Sequence, residues 1–163
     1  MKEDIVDQLL HQWREEHPNT DVSALGVVVR VQMLGKLLQM QTEAALAKHD
    51  LKHWEYDVLS VLRRQGAPFE MAATDIARAA LLTSGAMTTR IDGLEERGLV
   101  ERRRSKSDGR SVEVSLTTAG KKIIDSAIDT RIKEANRALE KISATEKEQG
   151  ASILRSLLLH LDT

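Results

Sequence analysis

The chain has 163 residues, 41% of them hydrophobic but only 2% aromatic, and its formal net charge is -1. That length sustains one well-buried core without requiring a second domain, and an aliphatic composition with Pro18 and Pro68 as its only prolines favours long helices over a β-sandwich. Cysteine is absent, which excludes a disulfide framework and thiol redox sensing, and no apolar run has the length of a signal peptide or of the ~18-residue membrane span, so a cytoplasmic chain is expected.

In chain order, Val6, Leu9, Leu10 and Trp13 fall on one side of a short helix that stops at Pro18, which places Trp13 on the inward face. A second helix, capped around Asn19-Thr20-Asp21, runs toward His49; its low-charge middle, residues 27–40, predicts cover on more than one side. A third, from Leu51 to Gln65, buries Trp54, Val58, Val61 and Leu62, carries Asp57 on its flank, and ends at Gly66-Ala67-Pro68. A two-turn helix over residues 74–80 and a tight turn lead to another helix opening at Thr83 or Ser84. Short helix, turn, and helix with a polar outer face is the helix-turn-helix order.

On that last helix Met87, Ile91 and Leu94 share a narrow apolar arc, opposite Gly85, Thr88, Thr89 and Asp92. Short hydroxyl side chains such as Ser84, Thr88 and Thr89 suit groove entry, because they reach phosphate or base edges without holding the backbone away. Gly98 can close the helix in a left-handed cap. From Arg97 to Arg110, six basic residues stand against two acidic ones, which concentrates any phosphate-binding surface on Arg103, Arg104, Lys106 and Arg110. Val112, Val114 and Leu116 alternate with polar residues on the returning strand of a hairpin whose tip is residues 105–110. Thr117 and Thr118 cap a long helix, and Thr145 to Glu148 reads as the capping box of a last one. Leu157 to Leu159 is too apolar for a free surface, so the terminal helices are expected to pair with a second chain. Two reading heads would then face successive major grooves of a pseudo-palindromic site.

The whole is a mainly α chain: a winged helix-turn-helix over residues 51–116, with dimerisation helices in 1–50 and 117–163 and a small β-hairpin wing. Ser84 through Arg102, then Asp108-Gly109-Arg110, then Leu116-Thr117-Thr118-Ala119-Gly120, resemble the MarR family of bacterial transcriptional regulators. The resemblance extends from Thr20 to Leu161. It implies that the helix of Ser84 to Arg97 enters the major groove, and that Arg110, held by Asp108, enters the minor groove. A narrower resemblance, to the urate-responsive branch of that family, rests on an extra N-terminal helix with Trp13, together with Asp57, Arg90 and Arg102. It implies that these four residues bind urate and relay it to the reading helix. It also implies autoregulation, a neighbouring divergent target gene, and roles in stress response or virulence.

From helical geometry, Arg90 projects about 60° from the centre of its helix's apolar stripe, toward the core flank, where Asp57 can pair with it. A purine anion would suit guanidinium hydrogen bonds and an indole face. Alternatives are another aromatic or carboxylate anion as effector, or an enzyme acting on a small acid. The second lacks any nucleophile and base at motif spacing, a phosphate loop or a metal constellation. No cofactor is expected. His49 and His53 have the i, i+4 spacing of a metal pair, but a helix break between them and the lack of cysteine argue against zinc; a pH response of DNA binding is the milder expectation. On DNA, the protein would sit at the nucleoid.

Overall fold

The structure is a computed structural model that describes residues 2–80, 84–104 and 112–161. Ten elements follow in order: α1 Ile5–Glu16, α2 Ser23–Ala47, α3 His53–Arg64, β1 Glu70–Ala72, α4 Ala73–Ala79, α5 Ser84–Glu96, β2 Val100–Arg104, β3 Val112–Leu116, α6 Thr118–Ala138 and α7 Ala144–Leu161. The strands form an antiparallel sheet in the order β1-β3-β2, with Arg102 opposite Val114 and Met71 opposite the same residue on the other side. β1 has no counterpart in the sequence reading; at three residues it is too short to show a hydrophobic alternation. No described helix is long and apolar enough to cross a membrane.

The chain divides after Ala44 into two compact units. In the first, Asp4 caps α1 by accepting hydrogen bonds from the Val6 and Asp7 amides, and the Asp7 carboxylate accepts in return from the Asp4 amide. The Arg30 guanidinium joins both carboxylates, and this bonding holds the Asp4 pKa down at about 2. Val6, Leu10 and Val22 form the small core of this unit. Trp13 is not part of it. It stands 44% exposed at the end of α1, tilted against the His17 ring at 5.2 Å, so the inward placement expected of it is corrected: the seam follows Val6 and Leu10 and leaves Trp13 to one side.

The second unit holds the main core: Val58, Leu59 and Leu62 of α3, Ile76 of α4, Met87, Ile91 and Leu94 of α5, Val114 of β3, and Ile124 of α6. Between α5 and β2 the chain reverses at Gly98, whose φ of +65° is the left-handed cap the sequence suggests. Gly120 has a different reason to be glycine. A Cβ there would lie 1.9 Å from the Leu99 carbonyl oxygen, so α6 can start only where no side chain intervenes. Thr117 completes that junction: its amide donates to Leu99 O, its hydroxyl donates to Gly98 O, and the same hydroxyl accepts from the Gly120 amide. Glu55, only 2% exposed, fastens this same C-terminal end of α5; it accepts from Arg97 and from the Lys52 amide, while Arg97 also reaches Asp50. Asp125 of α6 pairs with Lys121 and with Arg63 of α3, which lowers its pKa, the lysine bond contributing most.

The cap of α7 is earlier than expected. Ser143 and Glu146 make the reciprocal bonds, because Ser143 is the residue that leaves helical geometry with its hydroxyl over the Glu146 amide. No described residue of α7 is buried, and Ile153, Leu154, Leu158, Leu159 and Leu161 are exposed. The middle of α2 is exposed likewise, at Val27, Val28, Leu34, Leu37, Leu38 and Met40; the cover expected over residues 27–40 is not supplied within the described chain.

Candidate nucleic-acid interface and effector site

α5 is built as a two-faced helix. Met87, Ile91 and Leu94 are at most 2% exposed and pin its inner face to the core, while Thr88 and Thr89 are exposed on the other side. Ser84 and Gly85 open its first turn. α4 packs against it, as the helix-turn-helix order requires. Beside α5, β2 carries Arg102, Arg103 and Arg104. Lys106, Asp108 and Arg110, the expected tip of the wing, lie outside the described residues.

The basic run is not a uniform patch. Arg97 belongs to the internal lock with Glu55 and Asp50. Arg102 turns back onto α5, where its guanidinium bonds the carboxylates of Asp92 and Glu95 and the carbonyl oxygen of Thr88. Arg103 pairs with Glu101 at 2.6 Å. Arg104 is exposed at the end of β2, with no ionic partner among the described residues. Exchange of such exposed pairs for phosphate costs little, since surface ion pairs contribute about 0–1 kcal/mol.

Of the four residues expected to bind effector, Trp13 lies in the first unit, and Asp57, Arg90 and Arg102 lie in the second. The expected Asp57–Arg90 pair does not form. Asp57 lies 3.8 Å from Nε2 of His53, one turn earlier on its own helix, and the Arg90 guanidinium sits 5.5 Å from the centre of the Trp54 ring. The flank position deduced for Arg90 is thus occupied, with an indole as neighbour in place of a carboxylate. Arg102 faces Asp92 and Glu95, so the three residues are held in three separate arrangements.

Asp57 also lines a groove of about 480 Å³ with Tyr56, Ser60, Val61 and Arg64 of α3, Ala79 and Ala80 at the end of α4, and Ile128 of α6. Of these residues only Asp57 stands out in the sequence. Their signal is the spacing: Ser60, Val61 and Arg64 follow Asp57 at i+3, i+4 and i+7, the positions of one helical face. His49 is engaged elsewhere, with Nε2 2.7 Å from the Thr130 hydroxyl and Nδ1 3.4 Å from that of Ser126. Among the described residues no cluster of three or more His, Asp or Glu is placed to hold a metal ion.

A helix pair with a polar outer face, beside a three-stranded sheet whose outer strand carries cations, defines a winged helix-turn-helix protein of the DNA-binding type. Residues 49–111 match the MarR family. The chain is 29% identical over 156 residues to the HTH-type transcriptional regulator PecS of Dickeya dadantii, covering 96% of this chain and 94% of that one. It is 33% identical to the uncharacterized HTH-type transcriptional regulator YfiV of Bacillus subtilis, covering 68% of this chain and 69% of that one. Among solved structures it is similar to a mutant MarR from E. coli complexed with operator DNA, with TM-score 0.72 and 22% identity, covering 90% of this chain and 97% of that one. The chain belongs to the MarR family; it is a transcriptional regulator and not an enzyme.

Proposed function

We propose that the protein is a homodimeric repressor whose hold on a pseudo-palindromic operator is weakened by urate. The observation that carries the DNA reading is the division of α5, with Met87, Ile91 and Leu94 sunk in the core and Thr88 and Thr89 turned out beside the cationic strand β2. In this reading Ser84, Gly85, Thr88 and Thr89 meet the major groove. Arg103, Arg104, Lys106 and Arg110 meet phosphate and the minor groove, with Asp108 orienting Arg110. The similar MarR structure holds operator DNA, which supports the same use of the fold here. The apolar faces of α2 and α7 support a second copy as partner.

Similarity to PecS along nearly the whole chain supports the effector assignment, in which Trp13, Asp57, Arg90 and Arg102 serve the response to urate. Arg90 and Arg102 both bear on α5, so an anion drawing either from Trp54 or from Asp92 and Glu95 would shift the reading helix. The effector acts only by binding the DNA-incompetent state better, and operator and urate must weaken each other equally. A gel-shift titration of the upstream intergenic fragment at fixed salt tests this. Urate is expected to lower operator affinity, and affinity itself to fall steeply as salt rises. Operator binding that is indifferent to urate would remove urate as effector and leave the DNA reading intact.

A further inference from the structure

We infer that Arg64, with Asp57 and Ser60, forms the polar edge of the effector groove, and that the groove takes a planar heterocyclic anion bearing ring N–H groups. This rests on urate as effector and on Asp57 as one of its contacts, as proposed above; of the four residues named there Asp57 alone lines the groove, and Arg64 is added as the group that holds the negative charge.

The groove lies wholly within the second unit, and its about 480 Å³ is within the range of roughly 300–1,000 Å³ usual for small-ligand clefts. Asp57 and Arg64 are seven residues apart on α3, about 10 Å along the axis. Helical side chains lean toward the N-terminus, and Arg64 does so: its Nε donates to the Ser60 carbonyl oxygen at 3.2 Å, which brings the guanidinium back by a turn toward Asp57. Its two Nη groups have no hydrogen-bond partner in the described residues. The Ser60 hydroxyl donates to the Asp57 carbonyl oxygen and keeps its lone pairs to accept. Val61 of α3, with Ala79, Ala80 and Ile128, supplies the apolar part of the lining.

A cation and an anion in one groove select by pattern. A benzoate-type anion satisfies Arg64 and is repelled by Asp57. A heterocyclic anion that presents oxygens along one edge and N–H groups along another satisfies both, donating to Asp57 and accepting from Arg64. Arg90 and Arg102 do not line this groove. Arg102 is already neutralised by two carboxylates, so an anion there would have to displace them.

The test is calorimetric titration of urate and of salicylate into the full-length wild type, Arg64→Gln, Arg64→Lys and Asp57→Asn, each checked for an unchanged melting profile. Arg64→Gln should weaken urate by about tenfold or more, the value of one charged hydrogen bond. Arg64→Lys should recover part of that loss, because charge returns without the fork. Asp57→Asn should weaken urate and strengthen salicylate, a reversal that a merely structural residue would not produce. If the wild type binds urate and Arg64→Gln binds it equally well, the assignment of Arg64 is overturned while the urate reading stands. If the wild type binds no urate, the effector reading fails and takes this inference with it.

Discussion

α5 and α7 are both helices with apolar and polar residues interleaved, yet one has its apolar side used up and the other does not. Met87, Ile91 and Leu94 of α5 are closed over by α3, α4, β3 and α6 of the same chain. Ile153, Leu154 and Leu158 of α7 have comparable side chains and stay open. Each such side chain is worth about 1.5–3 kcal/mol when taken from water, so the lobe around α5 is stabilised from within, while the same gain is still open to α7 and would be taken up by the second copy proposed above. On the proposed reading the difference separates two tasks: a lobe that keeps its shape, and helices that take a partner.

The largest expected effect falls on the lobe. Gly120→Ala drives a methyl group against the Leu99 carbonyl, which can move only by pulling apart β2 and the start of α6; a loss of about 4 kcal/mol or more is expected in urea denaturation. Next, Leu154→Glu together with Leu158→Glu puts charge on the open face of α7. Sedimentation at micromolar concentration should then show monomer where the wild type is dimer, for a penalty of about 3 kcal/mol, while the fold of the lobe persists by circular dichroism. A monomer in the wild type would break the comparison at its root.

The parts legible in the sequence were those governed by local periodicity and local backbone geometry. The arc of Met87, Ile91 and Leu94, the cap at Gly98 and the start of α6 at Thr117 each need only neighbours within a turn or two, and each is present. What was misread depended on partners distant in sequence. The pull of Val22 on Val6 and Leu10 leaves Trp13 outside, the pairing of Glu55 with Arg97 withdraws one cation from the basic run, and Trp54 claims Arg90 ahead of Asp57. Charge counting cannot register such internal engagements. β1 likewise exists because β3 offers it an edge, not because Glu70–Ala72 favours a strand alone.

The junction of Gly98, Leu99, Thr117 and Gly120 has a mechanical side. Two hydrogen bonds from Thr117 and a bare backbone contact at Gly120 make the exit of α5 and the entry of α6 one joint. α6 runs 21 residues from that joint, about 30 Å, and its outer part carries exposed Ile132. If α5 reads a groove as proposed, α6 is a lever whose short end is α5. A grip on the far end of α6 by a second copy would then set the pitch of α5, and a few degrees of tilt there would take two such heads out of step with successive turns of a duplex.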